Sequence, residues 1–582
     1  MMAQTKPDGQ TPFLAEQPHP ENRQARCTTD GGAPLTAAVD VEASCCCGCF
    51  WKEELWLFVA AQNAAQEIHQ YVRKADGTFV FRKTLGCMPA PVRQMNAFWN
   101  ETVAEIRLFV LADKGYILDA AGRVIVAFPV DCKSACALEM NGTLRVICDG
   151  DWYSLKDGGK LEFERELSVA AYHINANRYD KLYETGTTRP GEITGSAIQW
   201  KGKILYTCGA RFERCGRENI DAFLCEGDEK GEIFSRRYLL IPNGGCVSLF
   251  TDGEENLFAA FVGCTSHSVV SGKPAVVRLE RQESGFFRPC AGTVFETSPV
   301  DLLRPSDNGE RDIRDTFVCA ADDGWYYLTG TTARENGTFW KNTDGINLWR
   351  SKDLKRWEFV KTVFDYRERQ EGWQNQISDN CWAPEICKHD GTYWITYSLE
   401  PGCGLLKSVT GAPEGPYADM GRVVMRGIDS GFFVDDDGTM YLVWQNGWIA
   451  PFTPDARSFA KDPVLLIPED GRQVGYEGAG IIKVAGKYVL YAAEWNGDMR
   501  IDGTYDMMYS VADSLYGPYS PRKVLVPHGG HGCLFYDHED RLRFTMFGND
   551  RTAPFSRKAA IGTVEIRMEN GQLILRPQSE QT

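Results

Sequence analysis

The chain has no apolar run approaching the roughly 20 residues that a membrane-spanning helix needs, so no membrane partner is expected. A basic surplus is also missing. Lys and Arg number 63 against 79 Asp and Glu, a net charge of −16, which is the wrong sign for holding a nucleic-acid backbone or an anionic bilayer. The N-terminus, Met1 to Phe13, lacks the charged-then-apolar order of a secretory signal, and a cytoplasmic location is expected from that. Helical periods are scarce. Short alternating runs take their place, and 57 glycines point to many turns, so the expected class is all-β. Cysteine is plentiful at 20, but without a signal the pattern favours reduced thiols over a disulfide framework. Cys45, Cys46, Cys47 and Cys49 lack a second cysteine or histidine pair at zinc spacing, and read as buried or half-exposed thiols near a strand start.

With 582 residues the chain is too long for one core. Residues 1–48, rich in Pro, Gly, Gln and charge, read as a flexible tail. Residues 49–300 carry short strands such as Leu55 to Ala60, Glu105 to Leu111, Val124 to Phe128 and Thr143 to Cys148, with no long helix between them. This density suits a sandwich, barrel or propeller, and paired turn-strand pieces favour a propeller-like domain. Pro, Ser, Asp and Asn accumulate between Thr297 and Asn308, which sets the boundary with a second domain over 301–582.

In that second domain a turn followed by an aromatic strand recurs at Gly324 to Leu328, Gly391 to Ile395, Gly438 to Leu442, Gly486 to Leu490 and, as a variant, Glu539 to Phe544. Such a period is the mark of a propeller, whose blades need their neighbours to bury both faces. Before each unit stands a polar or Trp-rich spot: Asp315, Trp382 to Glu385, Asp429, Glu477 and His531. On innermost strands these would converge on one axial funnel. Glycines Gly475 and Gly478 flank Glu477 and suggest close approach of a ligand. Ten of the 15 tryptophans follow residue 300, and Trp382 and Trp448 are the best candidates for touching a ligand.

The order Asp315, Trp382-Ala383-Pro384-Glu385, Ile428-Asp429 with Asp435-Asp436-Asp437-Gly438, Glu477-Gly478 and Gly530-His531-Gly532 resembles the five-bladed β-propeller glycosidases of glycoside hydrolase family 43. The likeness covers about Asp312 to Met568, and Ser351-Lys352-Asp353-Leu354 with Trp357 adds to it. It departs from the family pattern at Thr316 and Ser430, where proline is usual. The resemblance implies that Asp315 is the general base, with Asp312 as a competing candidate. Glu477 would be the general acid, and Asp429 the third carboxylate that raises and orients it. His531 would be the axial histidine, near a water-coordinated cation in some members. Arg314 is a candidate for binding a hydroxyl or carboxylate, and Glu385 for binding substrate. No cofactor is required on this reading, although a structural calcium near the axis fits it. The expected partner is an oligosaccharide, with a homo-oligomer left open.

Such chemistry needs one protonated and one ionised carboxyl group at the same pH. An inverting enzyme separates them by about 6.5–9.5 Å, a retaining one by about 5–5.5 Å. The expected activity is that of an α-L-arabinofuranosidase or β-xylosidase. A glycosidase acting on galactosides or other pyranosides and a non-catalytic glycan-binding propeller are the alternatives.

Overall fold

The computed structural model describes the strand 25–28 and most of 38–578; the longer stretches outside the described residues are 1–24, 29–37, 264–271, 304–312, 366–379, 498–502 and 549–558. Among the described residues every long element is a strand, and the strands form antiparallel meanders laid down in chain order. The innermost strands of the first five blades are Ala43–Trp51, Gln94–Asn100, Ala135–Met140, Ile193–Trp200 and Val247–Thr251. Those of blades 6 to 10 are Ile313–Ala320, Trp382–His389, Ser430–Val434, Glu477–Val484 and Leu534–Tyr536.

Local sequence explains the meander. Asp390-Gly391 takes φ of 48° and 72°, and Ala485-Gly486 takes 50° and 77°, so both central residues of each turn are left-handed, as a tight two-residue hairpin requires. The strands that follow are aromatic and aliphatic, and bury both faces between neighbouring blades.

Apolar clusters lie between consecutive blades and run round each half of the chain. In the first half the circle is completed where Phe250 of blade 5 packs with Leu57 and Tyr71 of blade 1. In the second half Phe535 and Ile561 of blade 10 pack with Ile313, Val318 and Trp349 of blade 6. The innermost strands contact one another in the same cyclic order. Each half is therefore a five-bladed propeller, referred to below as the N-ring and the C-ring. Blade 10 is completed from both ends of its half. Val294–Pro299 pairs with Ala559–Glu569, through Ser298 to Ile561, and Gln572–Pro577 pairs with the other end of the same strand.

Two parts of the sequence reading change. The tail drawn over 1–48 holds ordered segments: Ala25–Thr28 pairs with Val294–Pro299, Val39 packs in the core of blade 1, and Ala43–Trp51 is the innermost strand of that blade, with Cys45, Cys46, Cys47 and Cys49 all buried. Thiols here act as small apolar side chains, a role composition alone does not separate from a polar tail. The strand Val294–Pro299, on the N-terminal side of the boundary set at 301, is built into the C-ring sheet.

Candidate active site

The innermost strands of blades 6, 7 and 9 break register near their axial ends, between Arg314 and Phe317, Trp382 and Glu385, and Glu477 and Gly480. Asp315, Ala383 and Gly478 there have φ of 51°, 43° and 66°, and Asp429, just before the innermost strand of blade 8, has 56°. A left-handed residue in a bulge re-aims the chain, and for a side chain other than glycine it is held only when its surroundings fix it. Hydroxyls from the preceding blade supply that fixing. Ser398 Oγ accepts the N–H of Asp429 at 2.7 Å, and Thr331 Oγ1 accepts the N–H of Ala383 at 2.8 Å.

Asp315 is the most strongly held carboxylate. Arg314 Nε donates to its Oδ1 at 2.9 Å, Thr331 donates to its Oδ2 at 2.7 Å, and His531 Nδ1 stands 3.3 Å from Oδ1. Burial alone would raise its pKa; Arg314 and then His531 outweigh burial and hold it well below the usual carboxylate range. Arg314 is itself only 3% exposed, so it belongs to the site and not to the surface.

Glu477, 1% exposed, opens the innermost strand of blade 9 and accepts a 2.6 Å bond from the phenol of Tyr505. Tyr505 in turn stacks on Trp495, with ring centroids 4.2 Å apart and planes 16° from parallel. Asp429 lies 3.8 Å from His531 Nδ1. Burial disfavours a charged imidazole, but Asp429, Asp315 and Glu477 prevail and push His531 up to about 9. His531 is thus an imidazolium at neutral pH.

The space for that ring comes from Gly478, where a Cβ would sit 2.3 Å from His531 Cδ2. A Cβ on Gly475 would likewise lie 2.5 Å from the Ala493 carbonyl oxygen. The expected ligand approach at these glycines is therefore replaced by protein packing. Glu385 packs against Gly431 in the same way, with burial first and Asp429 second pushing its pKa up to about 8, against the pull of His531. It is a neutral acid at pH 7, able to donate a hydrogen bond.

Asp429, Glu477 and His531 each bring one ligand-type atom within 4.8 Å of the other two. A calcium ion takes about six to eight oxygens; this set offers two carboxylates and an imidazole that keeps its proton to about pH 9. The two carboxylates are hard oxygen donors of the kind calcium takes, whereas the imidazole nitrogen is not.

Trp382 starts the innermost strand of blade 7, half-buried at the axial end. Trp448, also half-buried, stacks on Trp444 at 6.3 Å and 15°, and Trp444 pairs with Ser430 beside Asp429. Asp312, Trp340 and Trp373 lie outside the described residues. Tyr505, Thr331 and Ser398 were missed, because they enter from second and third strands whose register no motif announces.

Residues 309–566 match the family model described as Glycosyl hydrolases family 43. A β-D-galactofuranosidase of Aspergillus niger is 27% identical over 240 residues, covering 36% of this chain and 66% of that protein. A putative β-xylosidase of Escherichia coli is 26% identical over 259 residues, covering 38% of this chain and 45% of that protein. The chain thus spans less than two thirds of either relative. An extracellular endo-α-(1→5)-L-arabinanase of Bacillus subtilis is 25% identical over 266 residues, 41% of this chain and 78% of that one. Among solved structures, an exo-1,5-α-L-arabinanase from a bovine ruminal metagenomic library is 18% identical, covering 47% of this chain and 99% of its own, with a TM-score of 0.37. Residues 309–566, which make up most of the C-ring and its acidic axis, are thus similar to glycoside hydrolase family 43.

Proposed function

We propose that the protein is an inverting glycosidase that releases terminal sugars from oligosaccharides, with α-L-arabinofuranosides or β-D-xylosides as substrates. The observation that carries this reading is the meeting of two buried carboxyl groups at one axis, each held by its own partners. Asp315 is held ionised between a guanidinium and an imidazolium, while Glu477 meets the phenol of Tyr505.

In this mechanism Asp315 takes a proton from a water molecule as the water oxygen bonds to the anomeric carbon. Glu477 gives its proton to the glycosidic oxygen as that bond breaks, leaving a sugar of inverted anomeric configuration and an alcohol. A carboxylate with so depressed a pKa is a weak base at rest. The oxocarbenium-like transition state acidifies the attacking water, so an ionised acceptor in position suffices. Asp429 keeps His531 charged and orients the acid, and Trp382 and Trp448 offer faces for the sugar. The relatives' names, which include a galactofuranosidase, a xylosidase and an arabinanase, support a pentose or furanose substrate.

The test is a panel of 4-nitrophenyl α-L-arabinofuranoside, β-D-xyloside and β-D-galactofuranoside, with proton NMR of the first-formed anomer. Turnover of the arabinofuranoside or xyloside with inversion is expected. Retention would overturn the mechanism, and Asp315→Asn and Glu477→Gln variants as fast as wild type on every accepted substrate would overturn the site.

A further inference from the structure

The two rings meet at a buried carboxylate. Asp221, 1% exposed, lies in the third strand of blade 4, Arg217–Gly227, far in sequence from any site residue. Its Oδ1 accepts the N–H of Asn243 at 2.8 Å within the N-ring, and its Oδ2 accepts the N–H of Gly497 at 2.9 Å in the C-ring. Taking a carboxylate out of water is costly, and charge-assisted bonds from backbone N–H groups of both rings offset that cost. Gly497 has φ of 75°, and a Cβ on it would stand 3.5 Å from Phe223 and 3.6 Å from Leu239, so its backbone rests directly on the N-ring.

Gly497 follows the second strand of blade 9, Lys487–Asn496, and leads to the third, Thr504–Ala512. The next two cross-strand pairs below it are Asn496 with Thr504 and Trp495 with Tyr505. Asp506 binds the first pair together, accepting from Asn496 Nδ2 at 2.6 Å and Thr504 Oγ1 at 2.7 Å, while its other oxygen accepts the N–H of His528 at 2.8 Å. The second pair carries Tyr505, whose hydroxyl reaches Glu477. The path from the N-ring to the proton donor is thus continuous and short: Asp221, Gly497, the paired strand ends, Tyr505, Glu477.

We infer that the N-ring is a positioning element for the proton donor, with Asp221 anchoring the blade 9 hairpin so that Tyr505 holds the Glu477 carboxyl in place. This rests on Glu477 being the acid of the proposed reaction. Asp221 and Tyr505 are positioning residues, not catalytic ones, and their effect falls on leaving-group protonation alone. A nitrophenolate departs without a proton, whereas a methoxide does not.

The experiment compares wild type, Asp221→Ala, Tyr505→Phe and the double variant on 4-nitrophenyl and methyl glycosides of the accepted sugar, arabinofuranose or xylose. Each single variant is expected to lose about 2- to 30-fold in kcat/KM on the methyl glycoside, the range for mutations along a coupling path. On the nitrophenyl glycoside Asp221→Ala should stay within about twofold, because donor positioning is not needed there. The double variant should be no worse than Tyr505→Phe alone, since both act through one contact. Equal losses on both glycosides, additive losses in the double variant, or no loss would each overturn the inference. Should Asp221→Ala fail to fold, Asp221→Asn, which keeps one acceptor oxygen, is read the same way. Glu477→Gln is the control: if it shows no leaving-group split, the acid assignment itself falls, whereas a split there without one in Asp221→Ala removes only the coupling between rings.

Discussion

At the axis of the N-ring the innermost strands bring together Cys45, Gln94, Cys136, Thr194 and Cys246, whereas the C-ring brings Asp315, Glu385, Asp429, Glu477 and His531. The N-ring uses its axial amides as stitching. Gln94 accepts the N–H of Ala135 at 3.0 Å and donates to the Thr194 carbonyl at 2.7 Å, spanning three blades. Asn96 both donates to and accepts from the Ala137 backbone, at 2.7 and 2.9 Å. In the C-ring much of the same stitching sits one strand further out. Thr329 donates to the Pro384 carbonyl at 2.6 Å, Thr396 to that of Ser430, and Thr545 to that of Thr316 at 2.8 Å. With blade-to-blade ties carried by second-strand hydroxyls, the innermost positions are released for charged groups. The lesson is that a ring can host acid–base chemistry once its axis is no longer needed to hold the blades together.

Exchanging the two roles should break the comparison most visibly. Asp315→Asn removes the proton acceptor and is expected to lower kcat/KM by about 10²- to 10⁴-fold, and to lower the thermal midpoint too, because Arg314 and His531 are left buried without their counter-charge. Asn96→Ala, which removes the buried amide partner of the Ala137 N–H and carbonyl, should cost about 2–3 kcal/mol of unfolding free energy with kcat unaltered. Urea titration and steady-state kinetics on the same two proteins check this. A large kcat loss in Asn96→Ala, or an undiminished kcat/KM in Asp315→Asn, would mean the axes are not divided in this way.

The division also explains what could be read from the sequence. Asp429 and Glu477 were legible because each closely precedes a recurring hairpin, and five recurrences fix a common place on the ring. The hydroxyls were not legible: Thr331 and Ser398 are ordinary strand residues until the register sets them opposite a bulge. Tyr505 lies 28 residues beyond Glu477 and reaches it only because the third strand of blade 9 pairs back on the second. Gly478 carried a real signal of close approach, but the approaching group is His531. The cysteines of blade 1 are expected as buried or half-exposed thiols near a strand start and are found buried; burial pushes the thiol of Cys49 up to about 12 and leaves it an inert apolar group.

A smaller effect sharpens the contrast between charges within the C-ring. Asp315 is ionised far below neutrality because Arg314 adjoins it, so it should set no acid limb of kcat/KM near its ordinary pKa. In Arg314→Gln the cation is gone, and the Asp315 pKa rises toward the range of an ordinary or buried carboxylate. The base is then protonated at higher pH, and the acid limb should move upward. Measuring kcat/KM from pH 3 to 8 for both proteins checks this, and an unmoved limb would show that Arg314 does not control the base.

The last effect concerns stability at alkaline pH, where, among the described residues, the N-ring axis has no counterpart to His531. Its folded pKa of about 9 lies above the 6.5 of a free imidazole. A raised folded value means that the charged form is bound more tightly in the native state. The stabilisation is therefore complete below about pH 6.5 and is lost as pH rises through about 9. The groups facing the ring are the carboxylates Asp429 and Asp315 and the carboxyl group of Glu477, with Arg314 bonded to the same oxygen of Asp315 and Glu385 nearby. A shift of this size corresponds to about 3 kcal/mol. Buried tyrosines and thiols also weaken the fold at high pH, because their protons leave only on unfolding, so the wild-type curve alone does not isolate His531. The difference between wild type and His531→Gln does: wild type should be the more stable below pH 7, and the gap should narrow steadily from pH 7 to 9.5. A gap that stays constant over that range would mean that His531 contributes by packing against Gly478 and not by charge.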